Sequence, residues 1–134
     1  MKFLGLDNRL YSVSLGEYAF DEHKQGKSSL HERAANLLRS LYPLDPLFEE
    51  LVLPGTGGLR LDLFLSRRMV GVECQGIQHY EFNNYFFKDK LDFGRAQLRD
   101  RRKNEWCQLN RVTLIHLPYN ESDEQWRNRI LHRS

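Results

Sequence analysis

The stretch Leu59 to Tyr80, LRLDLFLSRRMVGVECQGIQHY, constrains this chain more than any other. Leu59, Leu61, Leu63 and Leu65 alternate with Arg60, Asp62 and Phe64, the period-two pattern of a strand with one buried face. Ser66-Arg67-Arg68 is a polar break. Met69 to Gln75 is then a second strand, with Val70, Val72 and Cys74 facing one way and Gly71, Glu73 and Gln75 the other. Paired as a hairpin, these strands bring Asp62 and Glu73 to neighbouring positions on the shared face. Two carboxylates so placed repel unless a cation lies between them, which points to a divalent metal site. The bland alternative is that both are exposed strand residues paired with Arg60 and other bases.

A chain of 134 residues is read as one domain, long enough to bury about two-thirds of its unfolded surface. No apolar run approaches the roughly 18 residues that cross a bilayer, so no membrane is expected as a partner. The opening MKFLGLDNRLYSV has too short an apolar stretch for a signal peptide. Cys74 and Cys107 form no CxxC pair, and a zinc site would need two more ligands. They read as reduced, buried thiols of a cytosolic protein. A formal charge of +2 permits nucleic-acid binding without arguing for it; the clustering of charge says more.

Around the hairpin the pattern is mixed. Residues 1 to 28 form an N-terminal extension in which Phe3-Leu4 and Leu10-Tyr11 suit short strands. Ser29-Leu30-His31-Glu32 matches the S-x-x-E capping box, and Leu30, Ala34, Leu37, Leu38 and Leu41 continue at helical spacing to Tyr42. Pro43 and Pro46 end that helix. Phe48 to Leu53 reads as a strand, closed by Pro54-Gly55-Thr56-Gly57-Gly58. Leu91 to Leu109 is a second helix with Leu91, Leu98, Trp106 and Leu109 as core candidates and the basic run Arg99 to Lys103. Val112 to Leu117 is a β-branched strand and Asp123 to His132 a short polar helix. The order predicts an α/β fold, a mixed sheet flanked by helices.

An Asp in one strand, E-x-Q in the next and an acid on the preceding helix resemble the PD-(D/E)XK nuclease superfamily. The run ECQGIQHY, the helix RDRRKNEWC and the strand VTLIHLPY are similar to its small phage and Vsr-like branches. The likeness covers about Ser29 to Tyr119, the expected core of a restriction-endonuclease-like domain. It implies an endonuclease that hydrolyses DNA phosphodiesters with Mg²⁺ or Mn²⁺, of phage homing or nicking type. A junction resolvase, or an inert nucleic-acid-binding module of the same fold, are the alternatives. At this size specificity would come from the N-terminal segment, the loops, a homodimer or a partner protein, in the cytoplasm of a phage's or bacterial host.

The resemblance assigns Asp62 and Glu73 to the metal, with the backbone carbonyl of Cys74 and with Glu32, directly or through water. Glu32 is equally the capping-box partner of Ser29. Gln75 stands where the family usually has Lys, and Leu61 where it usually has Pro. A Gln orients a water but supplies no positive charge, so Lys103 or Gln97 on the basic helix is expected to stand in. His79 resembles the proton-carrying histidine of the Vsr-like branch. Without the resemblance it reads as a loop hydrogen-bonder. Gln78, Arg60, Gln97, Arg99, Arg102 and Lys103 are the residues expected on DNA. The run Arg99 to Lys103 otherwise reads as a solvated helix face. The aromatics Tyr80, Phe82, Tyr85, Phe86 and Phe87 suit a core and lid, or a base stack.

Overall fold

The structure is a computed structural model that describes residues 1–76 and 90–133. Two short antiparallel strands, β1 (Lys2–Leu4) and β2 (Leu10–Ser12), and a single 3-10 turn, Leu15–Tyr18, lead into helix α1 (Ser29–Leu41). Strands β3 (Leu47–Val52), β4 (Arg60–Leu65) and β5 (Val70–Gln75) follow, then α2 (Lys90–Leu109), β6 (Thr113–Pro118) and α3 (Asp123–Leu131). The larger sheet has the order β3-β4-β5-β6, antiparallel except for the β5–β6 pair, which is parallel. The α/β class read from the sequence is the class observed.

Helices α1 and α3 begin where their capping chemistry places them. Ser28, one residue before the expected cap, accepts the His31 amide at 3.1 Å. Ser122 and Gln125 form a reciprocal capping box on α3. Ala34, Ala35, Leu37 and Leu38 of α1 meet Trp126 and Ile130 of α3 over one sheet face, against Leu47, Leu63, Leu65, Val70, Val72, Ile115 and Leu117. The opposite face carries a second core, in which Phe48, Leu51, Leu61 and Phe64 meet Phe3, Trp106 and Cys107. The turn expected at residues 54–58 closes on the N-terminal hairpin. There Gly5 and Gly55 lie so near each other that a Cβ on either would meet the other's Cα within 2.8 Å.

Two expectations are corrected. The leucines of β4 do not share one face, because Leu61 belongs with Phe64 in the second core while Leu63 and Leu65 belong to the first. Both faces are covered, so the apolar positions carry no face label. The alternation breaks where Glu50 adopts φ 51°, beside Asp62. In α2 only Trp106 and Cys107 are buried, and Leu91, Leu98 and Leu109 are 61%, 50% and 40% exposed. The described core meets the helix only through its last turns.

Candidate metal centre

The pairs Glu49↔Leu63 and Leu51↔Leu61 set Glu50 against Asp62 across β3 and β4. Continuing the Leu63↔Val72 register brings Asp62 beside Glu73, and Glu73 pairs with His116 across the parallel strands. A row of acids therefore crosses the sheet. Between Asp62 and Glu73, carboxylates replace backbone rungs. The Asp62 amide donates to Glu73 Oε2 at 2.9 Å, and the Cys74 amide donates to Asp62 Oδ2 at 2.8 Å.

Lys103, from α2, donates to Glu73 Oε1 at 2.6 Å. Burial, then the Asp62 charge, pushes the Glu73 carboxyl above the usual carboxylate range, with Lys103 pulling the other way. Burial alone would lower the Lys103 ammonium, but Glu73 and Asp62 outweigh it and hold that ammonium above its ordinary value. A concentration of negative charge that Lys103 offsets only in part is the electrostatic setting in which a further cation is favoured.

The fourth element is the first turn of α1. His31 is 5% exposed, and its Nε2 lies 2.9 Å from Glu49 Oε1. A carboxylate only accepts, so Nε2 carries the hydrogen and Nδ1 is left on the side of Glu50, whose Oε1 is 3.8 Å away. Atoms of His31, Glu50 and Asp62 lie within 4.8 Å of one another. Ligands about 2.1–2.4 Å from one ion lie roughly 3–4.8 Å apart, so this oxygen and nitrogen set fits a divalent cation. Burial first, then Asp62 and Glu73, pushes the Cys74 thiol far up, so it stays protonated and supplies no thiolate.

These groups line an open cleft of about 590 Å³ that is shared with Lys24, Lys27, Arg60 and Gly76. Of the residues expected from the sequence, Asp62, Glu73, Cys74, Arg60 and Lys103 meet there. Glu32 does not; it lies on the exposed side of α1, in a groove with Asp123 and Arg127. The physical reason is the phase of the buried stripe on α1. His31 lies three and four residues before the buried Ala34 and Ala35 and so takes the inward position, while Glu32, the next residue round, is turned to the outside. Gln75 lies at the end of β5, its side-chain nitrogen 2.6 Å from His116 Nδ1. Gln97, Arg99 and Arg102 are not among the residues lining the cleft. Gln78, His79 and the aromatic run fall outside the described residues.

His31, Glu49 and Glu50 escaped the sequence reading, although one signal for them was present. Two adjacent acids inside the apolar run Leu47 to Val52 cannot both reach solvent from a covered strand.

No family model matches the chain, and no solved structure matches it. The chain is 41% identical over 69 residues to Uncharacterized protein 307L of Invertebrate iridescent virus 6, covering 52% of this chain and 35% of that protein. It is 42% identical over 67 residues to Uncharacterized protein 033L of Invertebrate iridescent virus 3, covering 49% and 34%. Uncharacterized protein 094L of Frog virus 3 is 36% identical over 75 residues, covering 54% and 48%. The aligned part is thus between a third and a half of each relative. Among the described residues no helix is long and apolar enough to cross a membrane.

Proposed function

We infer that this domain is a divalent-metal-dependent endonuclease acting on DNA, with Mg²⁺ or Mn²⁺ as its cofactor. The observation that carries this reading is the convergence of His31, Glu50, Asp62, Glu73 and Lys103 on one open cleft. His31, Glu50 and Asp62 would hold the cation, with the Cys74 carbonyl as a further oxygen. When bound, such an ion polarises a scissile phosphate and lowers the pKa of an attacking water. The chain's own part is positioning and charge. Lys103, held on Glu73, would supply the positive group that Gln75 lacks for the negative charge that develops on a phosphate. Arg60 and Lys24 at the rim suit backbone phosphates. The relatives belong to viruses, which favours an infected host cell as the setting.

A second reading, a nucleic-acid-binding module without catalysis, is favoured by the same Lys103–Glu73 pair, since it offsets part of the acid row without metal. Supercoiled plasmid and a four-way junction, incubated with Mg²⁺ or Mn²⁺ beside the Asp62→Ala and Glu73→Ala variants, separate the two. Metal-dependent nicking or linearisation lost in both variants is the nuclease result, and preference for the junction together with a stable homodimer indicates a resolvase. Binding without cleavage under either metal is the result for the inert module.

A further inference from the structure

We propose that Glu49 is a positioning residue that turns His31 into a nitrogen ligand and thereby makes this centre select Mn²⁺ over Mg²⁺. The inference rests on the metal-site reading above and concerns which ion the site takes.

In a regular strand Glu49 and Glu50 would face opposite ways. Here Glu50 sits at φ 51°, a left-handed conformation rare for a residue with a side chain. With the alternation broken, both acids flank the same imidazole, Glu49 at Nε2 and Glu50 towards Nδ1. Asn8, Met69 and Arg111 also have positive φ, but Glu50 has it inside a strand, and strain persists there only where the surroundings hold it.

Glu49 is itself clamped. Its Oε1 faces His31, while its Oε2 accepts the Asp21 amide at 2.9 Å and lies 3.2 Å from Lys27 Nζ. Glu49 and Lys27 are almost wholly buried, and the Lys27 ammonium also covers the Phe20 ring at 3.9 Å. Every oxygen of that carboxylate is thus committed before any ion arrives, so it belongs behind the ligand rather than on the metal. A carboxylate that accepts the far N–H of a ligating histidine fixes the tautomer and ring orientation and raises the basicity of the free nitrogen. The Ser28 cap fixes the backbone of the same residue. The imidazole is preorganised from both ends.

A nitrogen in the ligand set discriminates between ions. Mg²⁺ favours oxygen ligands in near-ideal octahedra and gives up water reluctantly, whereas Mn²⁺ accepts imidazole readily.

The test is calorimetric titration of the metal-free full chain with MnCl₂ and with MgCl₂, alongside electron spin-echo spectra of the Mn²⁺ complex for coupling to a ligating nitrogen. The wild-type chain should bind Mn²⁺ at least about tenfold more tightly than Mg²⁺ and show that coupling. In Glu49→Gln, Mn²⁺ affinity should fall by about 10–100-fold while Mg²⁺ affinity changes by less than about threefold. His31→Asn should lose the nitrogen coupling and most of the preference; should Glu49→Gln fail to fold, this variant and the wild-type ratio decide. Equal affinities in the wild-type chain, or equal losses for both ions in Glu49→Gln, overturn the proposal and leave the metal site standing. Failure of the wild-type chain to bind either ion overturns both. A bound, nitrogen-coupled Mn²⁺ with no cleavage of any DNA supports the proposal and removes the nuclease reading alone.

Discussion

Asp62 and Glu73 are each fastened to the other's strand: the amide of Asp62 donates to Glu73, and the carboxylate of Asp62 receives the amide of Cys74. Side chains placed for charge are therefore also part of the sheet's hydrogen bonding, and the two roles separate by substitution. Asp62→Asn keeps an oxygen for the Cys74 amide and should lie within about 1 kcal/mol of the wild-type stability. Asp62→Ala leaves that amide without its partner and should lose about 1–3 kcal/mol in urea unfolding. Both should abolish metal-dependent cleavage if the nuclease reading holds.

Lys103 should behave as half of a buried pair. Lys103→Met leaves Glu73 without its cation, a change that costs about 3–5 kcal/mol where the pair is well buried. The sign of the pH dependence follows from Glu73, whose folded carboxyl is raised by burial and by Asp62. A raised acid is protonated more readily in the folded than in the unfolded chain. Its contribution is therefore retained at low pH and lost as pH rises through the folded value. The variant should come closer to wild-type stability near pH 5 than near pH 8 in unfolding titrations, and adding Glu73→Gln should remove most of that difference.

Glu50 carries a backbone cost. Glu50→Gly accepts φ 51° freely and removes one acid from the row, so thermal unfolding should show a gain of about 1 kcal/mol. Metal affinity should fall at the same time. A loss of stability would mean that the left-handed backbone at this position carries no strain.

Gly71 reports on packing that the sequence left open. A Cβ there would meet Leu61 Cδ2 at 2.8 Å and Cδ1 at 3.2 Å, and Leu61 is fully buried. Gly71→Ala should cost about 1–3 kcal/mol by overpacking, and Leu61→Val in the same chain should recover part of it.

That contact also marks the limit of what the chain spelled out. The hairpin, its polar turn and the pairing of Asp62 with Glu73 were legible because period-two alternation and a short break specify them. Which face Leu61 joins was not, because strands covered on both sides are apolar on both sides, and the phase slip sits at Glu50 in another strand. Lys103 was legible as part of a basic helix but not by its partner, which lies 30 residues away along the chain. His31 was hidden because it is a polar residue on the buried stripe, one turn before Ala34 and Ala35, where only apolar residues were expected.

The parallel pairing of β5 with β6 has a consequence for the order of assembly. Strands β3, β4 and β5 meet through neighbouring connections and are expected to pair first, whereas β6 joins only across α2. In that order the sheet would gather Glu50, Asp62 and Glu73 before Lys103 opposes them. Electrostatic repulsion becomes a kinetic quantity: refolding should quicken with ionic strength in the wild-type chain, and less so in Asp62→Asn, in stopped-flow measurements.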